Sequence, residues 1–253
     1  MPVTVGLGAA SPDAKILSTV RAVGREVNII LFSRPGTADL FGDAVTVVEA
    51  EQPEVALIKA LAAGRIDAAV RGTLPASSTL AALKGAAGVD HLERIALLET
   101  ADGHLFLLAP VGVDEGWTVM EKVRFVERGR DIARSFGLAD GVAVLSGGRL
   151  GDIGRHPAVD RTMADAELVA RLTGAEHTEI LIEEAARRYG MVVAPDGVSG
   201  NLIFRTLTFL GAGAGHGAPV VNIDRIFVDT SRASANYTNA IMLAKSMVES
   251  RKP

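Results

Sequence analysis

Two loops in the last quarter of the chain carry residue types that bind anions. Residues 195–201 read Pro-Asp-Gly-Val-Ser-Gly-Asn, and residues 229–234 read Asp-Thr-Ser-Arg-Ala-Ser. Each loop follows a short apolar run and precedes a helical pattern. Open α/β sheets bind ligands at the carboxyl ends of their strands, where small and hydroxyl residues leave backbone N–H groups available beside a helix N-terminus. The two loops therefore predict a site for phosphate or another anion.

Candidate ligand-binding residues share one position, just after a predicted strand or at the start of the helix that follows. They are Arg71, Thr73, Ser77, Ser78, Ser146, Gly147, Asp196, Gly200, Asn201, Asp229, Ser231 and Arg232. An Arg guanidinium can fork onto a phosphate or a developing oxyanion, and a neighbouring hydroxyl can add a hydrogen bond.

Each candidate also has a purely structural interpretation. Ser231 is a residue type that caps helices, and Ser77, Ser78 and Thr79 are further cap candidates. Arg71 follows a buried strand, where a structural salt bridge is an alternative to a ligand contact. In the loop at 195–201, Ser199 or Asn201 is the expected cap. These alternatives stay open on the sequence alone.

The glycine-rich run at 211–217 resembles a phosphate-binding loop but lacks the Lys-Ser/Thr ending of a P-loop. We interpret it as a connection between a helix and a strand. The five His residues show no pair at metal-ligand spacing, so no metal site is predicted. Spacing alone indicates no Ser-His-Asp arrangement.

Composition narrows the function classes. Hydrophobic residues make up 48% of 253 residues, which is enough for a substantial core. A net charge of −4 with no basic run argues against nucleic acid or an anionic membrane as partner. The absence of Cys removes thiolate catalysis and favours a cytoplasmic location. No apolar run is long enough to predict a membrane span.

Short apolar runs alternate with amphipathic stretches along the chain. Strands are predicted at 3–8, 27–32, 45–48, 68–70, 94–99, 105–109, 142–145, 191–194 and 226–228. Helices are predicted at 13–23, 53–63, 78–85, 122–136, 157–172, 176–189, 202–210 and 235–248. This alternation predicts an α/β fold with mainly parallel sheets.

Two local signals refine this prediction. Ala101-Asp102-Gly103-His104 is a hairpin signal and predicts one antiparallel pair. A hinge near 137–141 divides the chain into a first domain at 1–138 with 229–253 and an inserted second domain at 139–228.

Four blocks together resemble the phosphate acetyltransferase and butyryltransferase family. They begin at Ile66-Asp67-Ala68-Ala69-Val70-Arg71-Gly72, Val144-Leu145-Ser146-Gly147-Gly148, Val193-Ala194-Pro195-Asp196 and Val228-Asp229-Thr230-Ser231-Arg232. Within this superfamily, which includes the PlsX acyltransferases, the first and third blocks are most similar to the MtxX-like group of methanogen marker proteins, which carry a methyltransferase label. No motif in the chain accounts for that label.

The resemblance implies a two-domain fold like that of the isocitrate and isopropylmalate dehydrogenases. It also implies a cleft between the domains where an acyl phosphate meets coenzyme A, with Ser231 and Arg232 as catalytic residues. Coenzyme A is expected as a substrate, with no tightly bound cofactor. The family dimerises through its second domain, so a homodimer is expected.

The sequence departs from the family pattern at two places. Thr238 stands where the family carries an acidic residue that can act as base for the thiol of coenzyme A, and a threonine hydroxyl is a poor base at neutral pH. Residues 80–82 lack the Arg that the family places after the hydroxyl-rich loop at 73–79, and Arg71 could supply that charge from the other end of this loop.

Three functions remain open at this point. The first is an acyl or phosphoryl transferase that binds an acyl phosphate, coenzyme A or a similar small anion. The second is a methyltransferase, or a protein that assists methyl transfer in methanogens. The third is a non-catalytic ligand-binding module on the same scaffold.

Overall fold

The structure is a computed structural model that describes residues 2–11, 13–41 and 45–251. It forms two compact units, one of Met1–Leu92 with Gly217–Pro253 and one of Glu93–His216. The predicted domains, 1–138 with 229–253 and 139–228, have different extents. Among the described residues, no helix combines the length and the apolar character needed to cross a bilayer.

Strands and helices alternate through most of the chain. The strands are β1 (Thr4–Ala9), β2 (Asn28–Ser33), β3 (Thr46–Glu49), β4 (Ala68–Val70), β5 (Ala96–Glu99), β6 (Leu105–Ala109), β7 (Val142–Val144), β8 (Glu176–His177), β9 (Met191–Val193), β10 (Ala214–Pro219) and β11 (Ile226–Asp229). The helices are α1 (Ala14–Val23), α2 (Ala38–Phe41), α3 (Pro53–Ala62), α4 (Ala76–Ala87), α5 (Val119–Ser135), α6 (Pro157–Thr173), α7 (Ile182–Arg188), α8 (Gly197–Arg205) and α9 (Thr238–Ser250).

The sheet of the first unit runs in the order β3-β2-β1-β4-β11-β10. Its first five strands are parallel, and only β10 pairs antiparallel, with β11. Because parallel strands end at the same edge of a sheet, the loops after β1, β4 and β11 lie side by side. This confirms the predicted mainly parallel α/β architecture.

The second unit has the strand order β5-β6-β9-β7-β8. β6, β9, β7 and β8 are parallel, and β5 pairs antiparallel with β6 as the hairpin signal at 101–104 predicts. Gly103 takes φ +85° in the turn, which a residue with a Cβ rarely adopts. Because β6 pairs with β9, residues 93–138 belong to the second unit and not, as the predicted domains had it, to the first. This explains the difference in extent at that boundary.

Local sequence accounts for where the main helices begin. In α5, Thr118 Oγ1 accepts a hydrogen bond from the backbone N–H of Glu121, and the Glu121 carboxylate accepts one from the backbone N–H of Thr118. This capping box satisfies two N–H groups at the helix start. Phe125 and Val126 then lie fully buried on one face. In the first unit, Asp13 caps α1 by accepting from the backbone N–H of Lys15.

Apolar residues between the sheet and its helices form the core of the first unit. Leu57, Leu61, Leu74 and Phe227 are almost completely buried there, together with Ala69 of β4. Full burial of a large apolar side chain contributes about 1.5–3 kcal/mol relative to exposure. Leu74 belongs to the loop after β4, so core packing holds one of the candidate loops in place.

Three sequence predictions are wrong in detail. Residues 176–189 do not form one helix: the chain forms β8 and starts α7 only at Ile182, and Glu179 takes φ +57°, which is incompatible with a continuous α-helix. The helix predicted at 202–210 begins earlier, at Gly197, and ends in a π-helical turn over Thr206–Leu210. The run at 211–217 is not only a connection, since β10 begins within it.

Candidate functional site

Three strand-end loops of the first unit are hydrogen-bonded to one another. The backbone N–H of Thr73 donates to Gly8 O at 3.1 Å, and the backbone N–H of Ala10 donates to Thr73 Oγ1 at 2.8 Å. Thr230 Oγ1 donates to Gly72 O at 3.2 Å. The loops after β1, β4 and β11 are thus connected to one another at the carboxyl edge of the sheet. The hydroxyl of Thr73 accepts a hydrogen bond that joins the loops after β4 and β1.

Arg71 is held inside this edge. It is 5% exposed, and its Nε donates to the carboxylate of Asp229. Its Nη1 donates to Leu74 O at 2.8 Å, and the same Asp229 oxygen accepts from the backbone N–H of Thr230 at 2.8 Å. Two residues predicted to bind a ligand are therefore partners of each other, and the structural salt bridge that the sequence left open is present.

Ser231 and Arg232 follow directly on the surface. Ser231 is half-buried, and its Oγ accepts from the backbone N–H of Ala233 at 3.2 Å. Arg232 is exposed, and its carbonyl oxygen accepts from Lys15 Nζ at 2.6 Å. Ser231 does not cap α9, since that helix begins at Thr238.

Tyr237 adds a polar group that the sequence motifs did not point to. The residue is 2% exposed, and its backbone N–H donates to Thr19 Oγ1 at 2.9 Å. Its hydroxyl oxygen is buried without a hydrogen-bond partner among the described residues. Burial raises the pKa of Tyr237 to about 12, with the charges of Arg71 and Arg232 acting to lower it and that of Asp13 to raise it.

Lys15 is the second residue that sequence reasoning missed. It sits in the first turn of α1, and its Nζ lies 5.9 Å from the centroid of the Tyr237 ring. The signal in the sequence was its place shortly after β1, a strand of this edge whose loop the motif analysis did not consider. Neither Lys15 nor Tyr237 could be found by motif, because their proximity to Arg232 depends on helix packing.

Ser77 and Ser78 lie in the first turn of α4. No side chain caps this helix, and Pro75 occupies the cap position. The predicted serine cap is therefore wrong. The hydroxyl of Thr79 donates back to Pro75 O at 2.7 Å, while Ser77 is exposed and Ser78 half-buried.

The Ser146 loop of the second unit contains a linked row of polar groups. His177 Nε2 lies 2.9 Å from Ser146 Oγ, and His177 Nδ1 lies 3.5 Å from a Glu167 oxygen. This order matches a Ser-His-acid relay, but the Ser146 hydroxyl donates its proton to Gly148 O at 3.0 Å and not to His177. These contacts therefore stabilise the loop after β7. The backbone N–H of Gly147 also donates within the unit, to Thr162 Oγ1 at 2.8 Å.

The loop at 195–201 makes structural contacts within its own unit. Asp196 caps α8 by accepting from the backbone N–H of Ser199 at 2.8 Å, so the cap expected at Ser199 or Asn201 is Asp196 instead. Asn201 Nδ2 donates to Val111 O at 2.9 Å. Gly200 packs so closely on Pro110 O that a Cβ would collide with it. Together these residues fix the neighbouring loop after β6.

A groove of about 910 Å³ lies at the opposite edge of the first unit's sheet. Pro2, Asn28 and Thr46 line it, and they stand at the amino ends of β1, β2 and β3. Its size does not make it the better candidate, since the charged and hydroxyl groups described above converge at the carboxyl edge, where such folds bind ligands.

The sequence is similar throughout its length to proteins of methanogens. It is 45% identical over 251 residues to a Methanosarcina barkeri protein named "Putative methyltransferase mtx subunit X", with 96% of this chain and 92% of that protein covered. A Methanosarcina acetivorans protein of the same name is 47% identical over 250 residues, covering 96% and 89%. No family model matches the chain.

The fold is similar to that of solved phosphotransacylases. A branched-chain phosphotransacylase from Enterococcus faecalis superposes with a TM-score of 0.77 at 18% identity, covering 97% of this chain and 99% of that one. The EutD phosphotransacetylase from Staphylococcus aureus gives a TM-score of 0.65 at 14% identity, covering 98% and 94%. An isocitrate dehydrogenase from Methylococcus capsulatus gives 0.53 at 14% identity, covering 97% and 84%.

These two sets of similarities agree with the resemblance carried by the four sequence blocks. The structures show a phosphotransacetylase-like α/β fold that is shared with isocitrate dehydrogenase. The relatives, at well over 30% identity across nearly the whole chain, show the family: the chain belongs to the mtx subunit X proteins of methanogens.

Proposed function

We propose that this protein is a transferase of the phosphate acyltransferase type that binds the anionic group of a small substrate at the carboxyl edge of its first unit. One observation carries the proposal. Three hydrogen-bonded strand-end loops present two guanidinium groups, of which Arg71 is neutralised by Asp229 while Arg232 has no ion-pair partner among the described residues. Arg232 is therefore a cation available to a ligand at this edge.

Ser231 and Arg232 are the residues expected to touch the substrate. The guanidinium can donate two parallel hydrogen bonds to a phosphate or carboxylate, and Ser231 Oγ can add a third. The same donors would stabilise the negative charge that develops on an acyl oxygen during transfer. Arg71 has an indirect role, because its ion pair with Asp229 holds the loop after β11 in position.

An acyl phosphate and coenzyme A are the proposed substrates. Attack by a thiol on the acyl carbon requires a base for the thiol proton, and Thr238 does not provide one. Its backbone N–H is bonded to Asn236 Oδ1 at 3.0 Å, and its hydroxyl stands at the start of α9. We therefore expect slow turnover, with the thiolate arising from solution rather than from residue 238.

The test is acyl-coenzyme A formation from acetyl and butyryl phosphate. Arg232→Ala should lower the rate by roughly 10²-fold or more, the usual cost of losing an oxyanion donor. Arg134→Ala is the matched control, because Arg134 is an exposed Arg of the second unit, ion-paired with Asp131. A wild-type rate equal to the rate without enzyme, or equal rates for wild type and Arg232→Ala, would overturn the proposal.

A second candidate is participation in methyl transfer, which the names of the relatives favour. A thermal-shift panel separates the two candidates. Coenzyme A and acyl phosphates should raise the melting temperature if the first is correct. A shift with methanopterin or a corrinoid protein, and none with coenzyme A, would select methyl transfer.

Thr238 also favours a third candidate, a binding module without turnover. Here ligands would stabilise the wild-type protein while no product forms. Thr238→Asp restores a carboxylate at this position, so activity that appears only in that variant would mark the scaffold as one that has lost its base. Activity in the wild type would exclude this candidate.

A further inference from the structure

Among the described side chains of the first unit, the hydroxyl of Tyr237 is a buried polar group without a hydrogen-bond partner. Tyrosine hydroxyls in protein interiors are nearly always hydrogen-bonded, since an unpaired one loses its hydrogen bonds to water without gaining others. The charges that act on this hydroxyl come from Arg71, Asp13 and Arg232. The ring of Tyr237 lies beside Lys15, whose Nζ is 5.9 Å from the ring centroid and donates to Arg232 O, so Tyr237 belongs to the region where α1 meets the loop after β11.

Lys15 belongs to α1, and its side chain reaches the loop after β11. Its Nζ donates to Arg232 O at 2.6 Å and lies 3.7 Å from the Asp13 carboxylate. The side chain is 21% exposed, so the ammonium group is neither fully solvated nor sealed off. An ammonium carries three N–H donors, of which Arg232 O takes one.

We propose that Tyr237 and Lys15 complete the anion site, with Tyr237 Oη donating a hydrogen bond to a phosphoryl oxygen of the substrate and Lys15 Nζ contacting the same group. The inference rests on the proposed function, because it names two more residues of that site and its ligand class. Tyr237 is a binding residue here, and Lys15 both binds and holds the Arg232 loop.

The chemistry of the three donors favours a phosphoryl group over a carboxylate. Arg232, Lys15 and Tyr237 supply donors on separate elements, the β11 loop, α1 and the start of α9. A tetrahedral phosphoryl group has oxygens pointing in several directions, whereas a carboxylate offers only two oxygens in one plane. A tyrosine hydroxyl is protonated at neutral pH, so Tyr237 can donate a hydrogen bond to an anion.

The chain is well suited to a direct test because it has only two tyrosines, Tyr189 and Tyr237. The full-length protein is labelled with ¹³Cζ-tyrosine, and inorganic phosphate is titrated while the two resonances are followed. Tyr237→Phe assigns the signals. We expect a saturable shift of the Tyr237 resonance with no change at Tyr189, which lies in the second unit. Acetate in a parallel titration should shift it only at much higher concentration.

Calorimetry supplies the second measurement. Tyr237→Phe and Lys15→Met should each weaken phosphate binding by roughly tenfold, the usual contribution of one hydrogen bond to a charged group. Tyr189→Phe is the matched control and should bind as wild type does. Should Tyr237→Phe fail to fold, the resonance shift in the wild-type protein decides the question by itself.

The outcomes separate the inference from the proposed function. Phosphate binding that Arg232→Ala abolishes, together with an unmoved Tyr237 resonance, would overturn the inference and leave the function standing. The same holds if Tyr237→Phe binds as tightly as wild type. Binding by wild type and Arg232→Ala alike, or no binding at all, would remove the proposed function as well. A resonance that responds to acetate as readily as to phosphate would refute the phosphoryl class.

Discussion

Arg71 and Asp229 are ion-paired although 158 positions separate them in the sequence. Arg71 follows β4 and Asp229 ends β11, and these strands are parallel neighbours in which Val70 stands opposite Val228. The register alone therefore brings the next two residues side by side. Both side chains are buried, at 6% and 11% exposure, so the pair fixes two candidate loops in one arrangement.

Breaking this pair from one side should destabilise the protein strongly. Asp229→Ala leaves a buried guanidinium without its partner, and such losses cost about 3–5 kcal/mol. Urea denaturation should show this decrease in the free energy of unfolding. Arg71→Met with Asp229→Leu should cost less than Asp229→Ala alone, because no charge is left behind. A loss no larger than that of Arg134→Ala, which breaks an exposed pair worth about 0–1 kcal/mol, would contradict the role given to the pair.

Gly72 is expected to be intolerant of a side chain. It takes φ +60°, and a Cβ there would collide with Gly8 O, where the loops after β1 and β4 meet. Gly72→Ala should cost about 1–2 kcal/mol for the left-handed backbone and about 1–3 kcal/mol more for overpacking. Gly88 has φ +67° with open space around it, so Gly88→Ala isolates the first cost. Equal melting temperatures for the two variants would rule out the close approach.

His156 should stabilise α6 as its N-cap. Its Nδ1 accepts from the backbone N–H of Ala158 at 3.1 Å. His156→Ala should lower the free energy of unfolding by about 1 kcal/mol, the typical value of an N-cap. His156→Asp should retain it, since a carboxylate accepts the same hydrogen bond and suits the helix dipole. Urea denaturation that gives the same value for Ala and Asp would show that the cap contributes nothing.

Tyr237 should make the protein sensitive to alkaline pH. Burial raises its folded-state pKa to about 12, while an unfolded tyrosine titrates near about 10. The unfolded chain therefore loses this proton first, so the contribution to stability is complete below about pH 10 and disappears as pH rises towards 12. Between those values, stability should fall less steeply with pH in Tyr237→Phe than in wild type. Parallel curves from urea denaturation would show that the hydroxyl is not buried in the folded protein.

Much of the fold could be predicted from local patterns. Short apolar runs such as those of β4 and β6 match the observed strands residue for residue, because buried parallel strands read as continuous apolar segments. The errors occur where a local pattern is ambiguous. Residues 176–189 contain helix-forming residues throughout, yet Glu179 adopts a positive φ and the chain pairs briefly with β7 first. The hydroxyl-rich loops stand at strand ends as predicted, while their role in binding a ligand stays a prediction.

The sequence by itself determined the alternation of strands and helices and the loops that follow β4 and β11, since periodicity and turn residues act over a few positions. Only the tertiary structure decided which of those polar groups face one another. Asp229 forms an ion pair with Arg71, Asp196 and Asn201 bond within their own unit, and Lys15 donates to Arg232 O. The physical reason is that a side chain's partner depends on strand order and helix packing, which bring together residues more than 150 positions apart.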